Sequence, residues 1–446
     1  MPLSRNRMKL PQCHVVSMLI TVLTLGVLQT PIFAQEDQQG QSAIPVAQAK
    51  QGFSAEQIYR WRQDVGWPNS SGPADESNIY YFLHWEEFLP HQTVWRAGEV
   101  RSFERALNSS LGEVTASSTL GTMSLDALLR DPLSRVQGIV VVHDGRIVYE
   151  EYPGMREQDH HRWFSVGKSI TGLSVGLLEE EGRVDVNRAI DVYLPELSDT
   201  NWQGIRVIDI LDMASGVDLE ENDAARYDRS TSLGAWFQLE NLDTTGLGDL
   251  TSDQVLFDVG DNRAPGEVLE YSSMNTRMLD LLVERVSGQR VAEFVSDRVW
   301  SKLGAEGDAI VALNLEGRAG MYGMFSSRLR DLARYGMLYT PSWDVVATER
   351  VVPQSLIDRI RDGCRPEIFA RGVALGLDPG GERPRCNSRH WDAVFADGDF
   401  FKLGARGQGL YISPARDVVV AFFSTTTELG WESYARAIAK TLEPSE

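Results

Sequence analysis

Residues Arg162–Gly182 read RWFSVGKSITGLSVGLLEEEG, and the architecture turns on this stretch. Val166, Ile170, Leu173 and Leu177 recur at spacings of four, three and four, which puts them on one helical face. Gly182 supplies the stop. Ser165 therefore stands at the helix start, and Lys168, three residues on, lies on the same side. A serine becomes a nucleophile when a neighbouring base takes its proton, and a lysine is such a base only when burial keeps it partly neutral. The helix N-terminus adds partial positive charge for an oxyanion. Gly167, Gly172 and Gly176 weaken the helix locally, so the expectation is close packing against other elements.

Two other motifs share these letters. Gly167–Ser169 resembles part of a phosphate-binding loop, but Arg162 stands where that motif needs its first glycine. Gly172–Gly176 fits the GxSxG elbow of α/β-hydrolases, which requires a strand directly before the serine. Here the helical pattern already runs through Leu173 and places Ser174 in mid-helix. An SxxK pair alone is a common chance match, and a capped surface helix is the plain alternative.

The chain has 446 residues and a formal net charge of -20, a balance that disfavours nucleic acid and anionic membrane as partners. Residues 1–34 read as a secretory signal, with Arg5, Arg7 and Lys9 before an apolar run from Val15 to Leu28 and a cleavage point after Ala34. The expected location is secreted or periplasmic, without stable membrane insertion after cleavage. Cys13 precedes the apolar run, on the wrong side for lipid attachment, and Cys364 and Cys386 either pair or stay as free thiols.

Residues 35–122 form a leader and an extension rich in aromatics, among them Trp61, Trp67, Tyr80, Tyr81, Phe82, Trp85, Phe88 and Trp95. The first sheet signal is GIVVVHDGRIVYEEY, Gly138–Tyr152, two β-rich runs about an Asp144-Gly145 turn. Residues 198–315 read as a helical insertion that includes a helix marked by Met278, Leu281, Leu282 and Val286. Gly409–Ser413 and Val418–Ser424 flank a hairpin loop, and Trp431–Leu442 closes the chain as a helix. The expected fold is α/β of the α+β kind: residues 123–197 and 316–446 build an antiparallel sheet from both ends of the chain, flanked by helices.

Two further groups carry chemistry. Tyr271 and Asn275 lie in PGEVLEYSSMN, where a nearby ammonium would stabilise the ionised phenol and let it shuttle protons. GARGQG, Gly404–Gly409, lets a substrate approach the backbone and offers an N–H to an oxyanion. Each has a bland reading, core packing for Tyr271 and a plain turn for the glycines. His160 and His161 stand before Ser165 without triad partners and are expected on the surface or in a loop, and the absence of an HExxH or clustered cysteines speaks against zinc.

In order and spacing, FSVGKS, PGxxxxYSSxN and GxRGQG before YISPxRDVVV resemble the serine β-lactamase-related family, which includes penicillin-binding proteins, class C β-lactamases, esterases and hydrolases of the 6-aminohexanoate-dimer type. VVVHDGRIVYEEY, DILDMASGV and RDLARYG add support over about Met123 to Leu442. The resemblance implies a β-lactamase/transpeptidase-like fold, acylation of Ser165, Lys168 as base and Tyr271 as acid/base. It also implies an oxyanion hole from the N–H groups of Ser165 and Gln408, substrate contacts from Asn275, Arg406 and Gly407, a small ester or amide substrate, and no metal or cofactor. Oligomeric state stays open. Ser273 stands where class C enzymes have the Asn of YxN, and Ala405-Arg406-Gly407 where they have KTG. Without that lysine, efficient β-lactam hydrolysis is not expected, and the pattern resembles the 6-aminohexanoate-dimer hydrolase type. The rivals are a low-turnover penicillin-binding or sensing module and an α/β-hydrolase acting through Ser174.

Overall fold

Strands from both ends of the chain meet at the centre of one sheet. The computed structural model describes residues 49–64, 76–219, 221–372, 381–426 and 430–443, all within one unit, Ala43–Glu446. Residues 1–34, expected to be a secretory signal, and Trp67 lie outside the described residues. No helix among the described residues is long and apolar enough to cross a membrane.

The main sheet has eight strands in the order Cys386–Ser388, Trp391–Val394, Phe400–Gly404, Gln408–Ser413, Val418–Ser424, Val136–His143, Arg146–Glu151 and Glu104–Arg105. All neighbours are antiparallel except the last pair. Val419 pairs with Val142 and Ala421 with Val140, which joins the strands of residues 123–197 to those of residues 316–446. Because side chains alternate along a strand, Val419, Ala421 and Phe423 enter the large core while Val418, Val420 and Phe422 enter a second core under the Trp431–Thr441 helix. Each large apolar side chain so buried stabilises by roughly 1.5–3 kcal/mol. Asp144 and Gly145 both have positive φ, 49° and 73°, as a tight hairpin turn requires.

A second, four-stranded sheet runs His91–Val94, Ala309–Ala312, Phe325–Ser327, His161–Arg162. It draws one strand from the aromatic extension and one from the end of the stretch read as a helical insertion. Its edge fixes the segment before Ser165: His161 pairs with Ser327, Arg162 with Ser326, and the Trp163 N–H donates to Phe325 O at 2.8 Å. Phe82 of the extension packs edge-on against Phe164 with centroids 4.8 Å apart. The aromatic-rich extension thus braces the site, although Trp95 is exposed.

Phe164–Gly167 makes a 3-10 turn that runs into the Lys168–Glu180 helix. That helix is buried without a break from Lys168 to Leu178, so its packing is on all sides and not on one face. Its glycines are sites of contact: a Cβ on Gly172 would lie 2.5 Å from Arg389 O, and one on Gly176 2.7 Å from Leu356 Cδ2. Ser174 is buried, and its hydroxyl donates back to Ile170 O at 2.8 Å. A serine in mid-helix with its hydroxyl spent on the previous turn cannot be an elbow nucleophile, so the α/β-hydrolase alternative is corrected. Cys364 and Cys386 form a disulfide, with Cα atoms 6.0 Å apart, that ties the edge strand to the turn before the Pro366–Arg371 helix.

Alanine in place of glycine inside a helix ordinarily gains about 0.5–1 kcal/mol. At Gly172 the contact with a backbone carbonyl reverses the sign, and Gly172→Ala is expected to lose about 1–3 kcal/mol in urea unfolding. An unchanged or raised midpoint would contradict this packing of the helix.

Candidate active site

Between His161 and Leu178, Ser165 is the one residue that is not buried. Phe164 before it has φ 48°, a left-handed conformation that non-glycine residues rarely adopt. The Arg162 guanidinium lies 4.1 Å from the Phe164 ring centroid and donates to Gly323 O at 2.8 Å, which holds the strained turn in place.

Lys168 Nζ is fully buried and has three near neighbours: Ser165 Oγ at 3.0 Å, Ser273 Oγ at 2.9 Å and Tyr322 O at 2.6 Å. Burial pushes its pKa down to about 7, with Glu221 pulling the other way and Lys402 adding to the fall. A neutral amine has two N–H bonds and one lone pair. The carbonyl of Tyr322 can only accept and Ser273 can take the second N–H, which leaves the lone pair for the Ser165 hydroxyl. Gly167 makes the Tyr322 contact possible, since a Cβ there would sit 2.6 Å from Met321 O.

The Ser273–Ser287 helix brings the second group. Its N-cap Ser272 accepts from Met274 N at 3.3 Å, and Glu221 Oε2 accepts from Ser273 N at 2.6 Å, a carboxylate at a helix N-terminus. Glu221 also pairs with Arg226, and its side chain is only 3% exposed. Burial by itself would raise the Glu221 carboxyl, but Arg226, Lys168 and the Ser273 hydrogen bonds outweigh it and hold it below the usual range.

Tyr271 is half-buried, and Ser165 lies near enough to its hydroxyl to favour the ionised phenol slightly. Its ring centroid lies 5.1 Å from Lys168 Nζ and 4.9 Å from Lys402 Nζ, and its hydroxyl is 3.4 Å from Lys402 Nζ. The expectation that nearby ammonium groups favour the ionised phenol is corrected. Burial, reinforced by Asp392 and Glu221, holds the phenol well above its ordinary 10.0, so it rests protonated.

The sequence reading also missed an amine. Lys402, in the Phe400–Gly404 strand, is fully buried, is paired with Asp392 and points at Tyr271. Burial lowers its pKa, which Asp392 counters. The signal was present: Lys402-Leu403-Gly404 has the K-x-G spacing of KTG, three residues before the stretch first aligned with it. Glu221 and Asp392 carry no local pattern and become visible only through the fold.

The other predicted residues are placed as follows. Asn275 is fully buried with its amide nitrogen 3.7 Å from Met213 Sδ, and Ser273 takes the position beside Lys168 instead. Gly407, φ 79°, packs on the closing helix, where a Cβ would lie 2.7 Å from Trp431 Cδ1. Arg406 is half-buried at φ 65° in the same turn. Gln408, expected to offer its backbone N–H, is fully buried and faces Gly404 across the strand pair, and its side chain donates to Ser424 O at 2.6 Å. Ala405, by contrast, is exposed, and it follows Gly404, where a Cβ would lie 2.6 Å from Trp163 O. His160 is a half-buried loop residue that burial pushes down to about 4. His161 is buried, stacked on Phe423 at 4.5 Å and bonded to Gln137 at 2.8 Å, which corrects its expected surface position. No cluster of metal ligands occurs among the described residues.

A part-exposed serine hydroxyl bonded to a fully buried lysine amine, with the Tyr271 ring beside that amine, is an arrangement suited to a serine nucleophile. The chain belongs to the beta-lactamase family, whose model, Beta-lactamase, matches residues 125–443. It is 29% identical over 293 residues to the 6-aminohexanoate-dimer hydrolase of Paenarthrobacter ureafaciens, covering 64% of this chain and 71% of that protein. It is 25% identical over 179 residues to protein flp of Staphylococcus aureus, a match that spans 37% of this chain and 32% of that protein. Among solved structures, one from Bacillus anthracis described as a candidate 6-aminohexanoate-dimer hydrolase has a TM-score of 0.68 at 24% identity, covering 84% of this chain and 97% of its own. The fold is β-lactamase/transpeptidase-like, and the homologues are hydrolases of this family.

Removing Asp392 leaves the buried Lys402 charge uncompensated. Asp392→Ala is expected to cost about 3–5 kcal/mol in urea unfolding. The double variant Asp392→Ala/Lys402→Met should recover most of that loss, and a double variant no more stable than the single one would contradict the pairing.

Proposed function

We propose that the protein is a serine hydrolase that cleaves a small ester or amide through an acyl-enzyme on Ser165. The observation that carries this reading is the fully buried Lys168 amine, 3.0 Å from Ser165 Oγ and pushed down to about 7. As Ser165 Oγ attacks the carbonyl carbon, its proton passes to the Lys168 lone pair and a tetrahedral oxyanion forms. The backbone N–H groups of Ser165 and of exposed Ala405 supply the oxyanion donors, in place of buried Gln408. The protonated Tyr271 hydroxyl gives its proton to the leaving oxygen or nitrogen as the carbon–heteroatom bond breaks, and is restored from Lys168. A water then repeats the cycle on the acyl-enzyme and releases the acid.

The P. ureafaciens relative is named for a 6-aminohexanoate dimer, which favours small amides and esters as substrates here. Lys402 does not restore a β-lactam carboxylate receptor, because its amine is fully buried and committed to Asp392. The N-terminal signal pattern, together with the Cys364–Cys386 disulfide, supports export to an oxidising compartment.

Since the active base is the neutral amine, kcat/KM for an ester should fall about tenfold per pH unit below about 7 and level off above it. Lys168→Ala should lower the rate by about 10²–10⁴. Ser165→Ala should abolish the acyl adduct in intact mass spectra and the labelling by a fluorophosphonate. Steady hydrolysis by the Ser165→Ala variant would overturn the reading.

A further inference from the structure

The Lys168 amine gives its N–H bonds to Ser273 Oγ and Tyr322 O, and one helix governs both acceptors. Ser273 opens the Ser273–Ser287 helix and meets the amine directly, at 2.9 Å. Arg277 stands four residues further along that helix and so on the same side of it. Its Nη1 donates to Ala319 O at 2.9 Å and its Nη2 to Glu240 Oε2 at 2.6 Å. Glu240 Oε2 also accepts from the Tyr322 hydroxyl at 3.1 Å, and Glu240 Oε1 accepts from Asn314 Nδ2 at 2.8 Å. Tyr322 O, 2.6 Å from Lys168 Nζ, is thus the end of a path that begins on the Ser273 helix.

Tyr322 is held from two sides. Trp236 and Glu240 lie four residues apart in the Ser232–Glu240 helix, and the Trp236 ring sits 4.9 Å from the Tyr322 ring while Glu240 takes its hydroxyl. Burial, with Glu240 adding to it, keeps the phenol well above its ordinary 10.0, so it stays a donor. Between Arg277 at Ala319 O and Glu240 at the Tyr322 hydroxyl, the backbone closes a turn in which Met324 N donates to Gly320 O at 2.8 Å.

The Glu240 and Arg277 side chains are each 1% exposed. Apolar residues of similar volume in place of such a buried pair are often neutral or stabilising, so stability alone does not account for it. What apolar residues cannot do is hold a carbonyl and a phenol hydroxyl in fixed positions.

We propose that Glu240 and Arg277 are positioning residues for the reaction: they hold the 319–322 segment so that Tyr322 O takes one N–H of Lys168 and the lone pair of the amine stays aimed at Ser165 Oγ. The assignment rests on the acyl-enzyme reading above and adds to it the buried pair that sets the direction of the base.

The test uses the whole enzyme, with kcat and KM for para-nitrophenyl butyrate and the rate at which a fluorophosphonate labels Ser165. Tyr322→Phe removes the hydroxyl link to Glu240 and keeps the ring and the carbonyl. It should lower kcat about two- to tenfold and leave KM within about twofold of the wild type. The double variant Glu240→Leu/Arg277→Met should lower kcat and the labelling rate of the folded protein by about 10²-fold. Glu240→Gln/Arg277→Met, which keeps an acceptor for the Tyr322 hydroxyl, should recover part of that loss. Should neither double variant fold, Tyr322→Phe decides alone. Wild-type kcat in Tyr322→Phe or in the folded Glu240→Leu/Arg277→Met variant, or a loss confined to KM, would overturn the positioning role alone. A wild type in which neither the ester nor the fluorophosphonate modifies Ser165 would overturn the catalytic reading and the assignment with it.

Discussion

The site depends on keeping one ammonium from existing. Lys168 has no solvent exposure, and no carboxylate lies within ion-pair distance of its amine among the described residues. Burying an unpaired charge costs several kcal/mol, whereas a neutral amine needs only hydrogen-bond partners. Tyr322 O, Ser273 Oγ and Ser165 Oγ are those partners, and the last is the proposed nucleophile. Glu221 is close enough to moderate the shift and is kept from pairing directly by its commitments to Arg226 and Ser273 N. Had Glu221 touched Lys168, the amine would have been held as ammonium and would have had no lone pair to offer.

Much of the fold serves this arrangement through close backbone approach. Gly167 admits the 321–322 segment, Gly172 admits the Arg389 carbonyl, and Gly404 brings the end of an inner strand onto the Trp163 carbonyl. The small sheet adds the remaining restraint by fixing His161 and Arg162 against Ser326 and Ser327. Its outer strand comes from the aromatic extension, so residues far upstream of Ser165 help to hold the turn on which it stands. Tyr271 completes the arrangement as a phenol between two amines that nonetheless stays protonated, because burial and the carboxylates of Asp392 and Glu221 oppose its ionisation more than the amines favour it.

The sequence made the strongly periodic parts legible. The Ser165 helix, the hairpin at Asp144-Gly145 and the closing strands Gln408–Ser413 and Val418–Ser424 appear where apolar spacing and turn residues put them. The strand Ala309–Ala312 was hidden because four apolar residues among helices have no period of their own. Lys402 is legible only as a K-x-G that ends just before Ala405-Arg406-Gly407, the stretch whose glycines draw the eye, whereas Ser273 already stands at the Asn place of YxN and gains its Lys168 contact from the fold. Glu221 and Asp392 are long-range partners whose roles follow from burial and distance, which no local pattern encodes. Asn275 and Gln408 belong to the right segments, but helix phase and strand pairing turn them into the interior.

The most direct measurement is the protonation of the Lys168 amine itself, followed by nitrogen NMR titration of lysine side chains and assigned with a Lys168→Arg variant. The account predicts a midpoint near 7 for this one resonance. A Lys168 amine that stays charged to about pH 10, the ordinary lysine value, would contradict it.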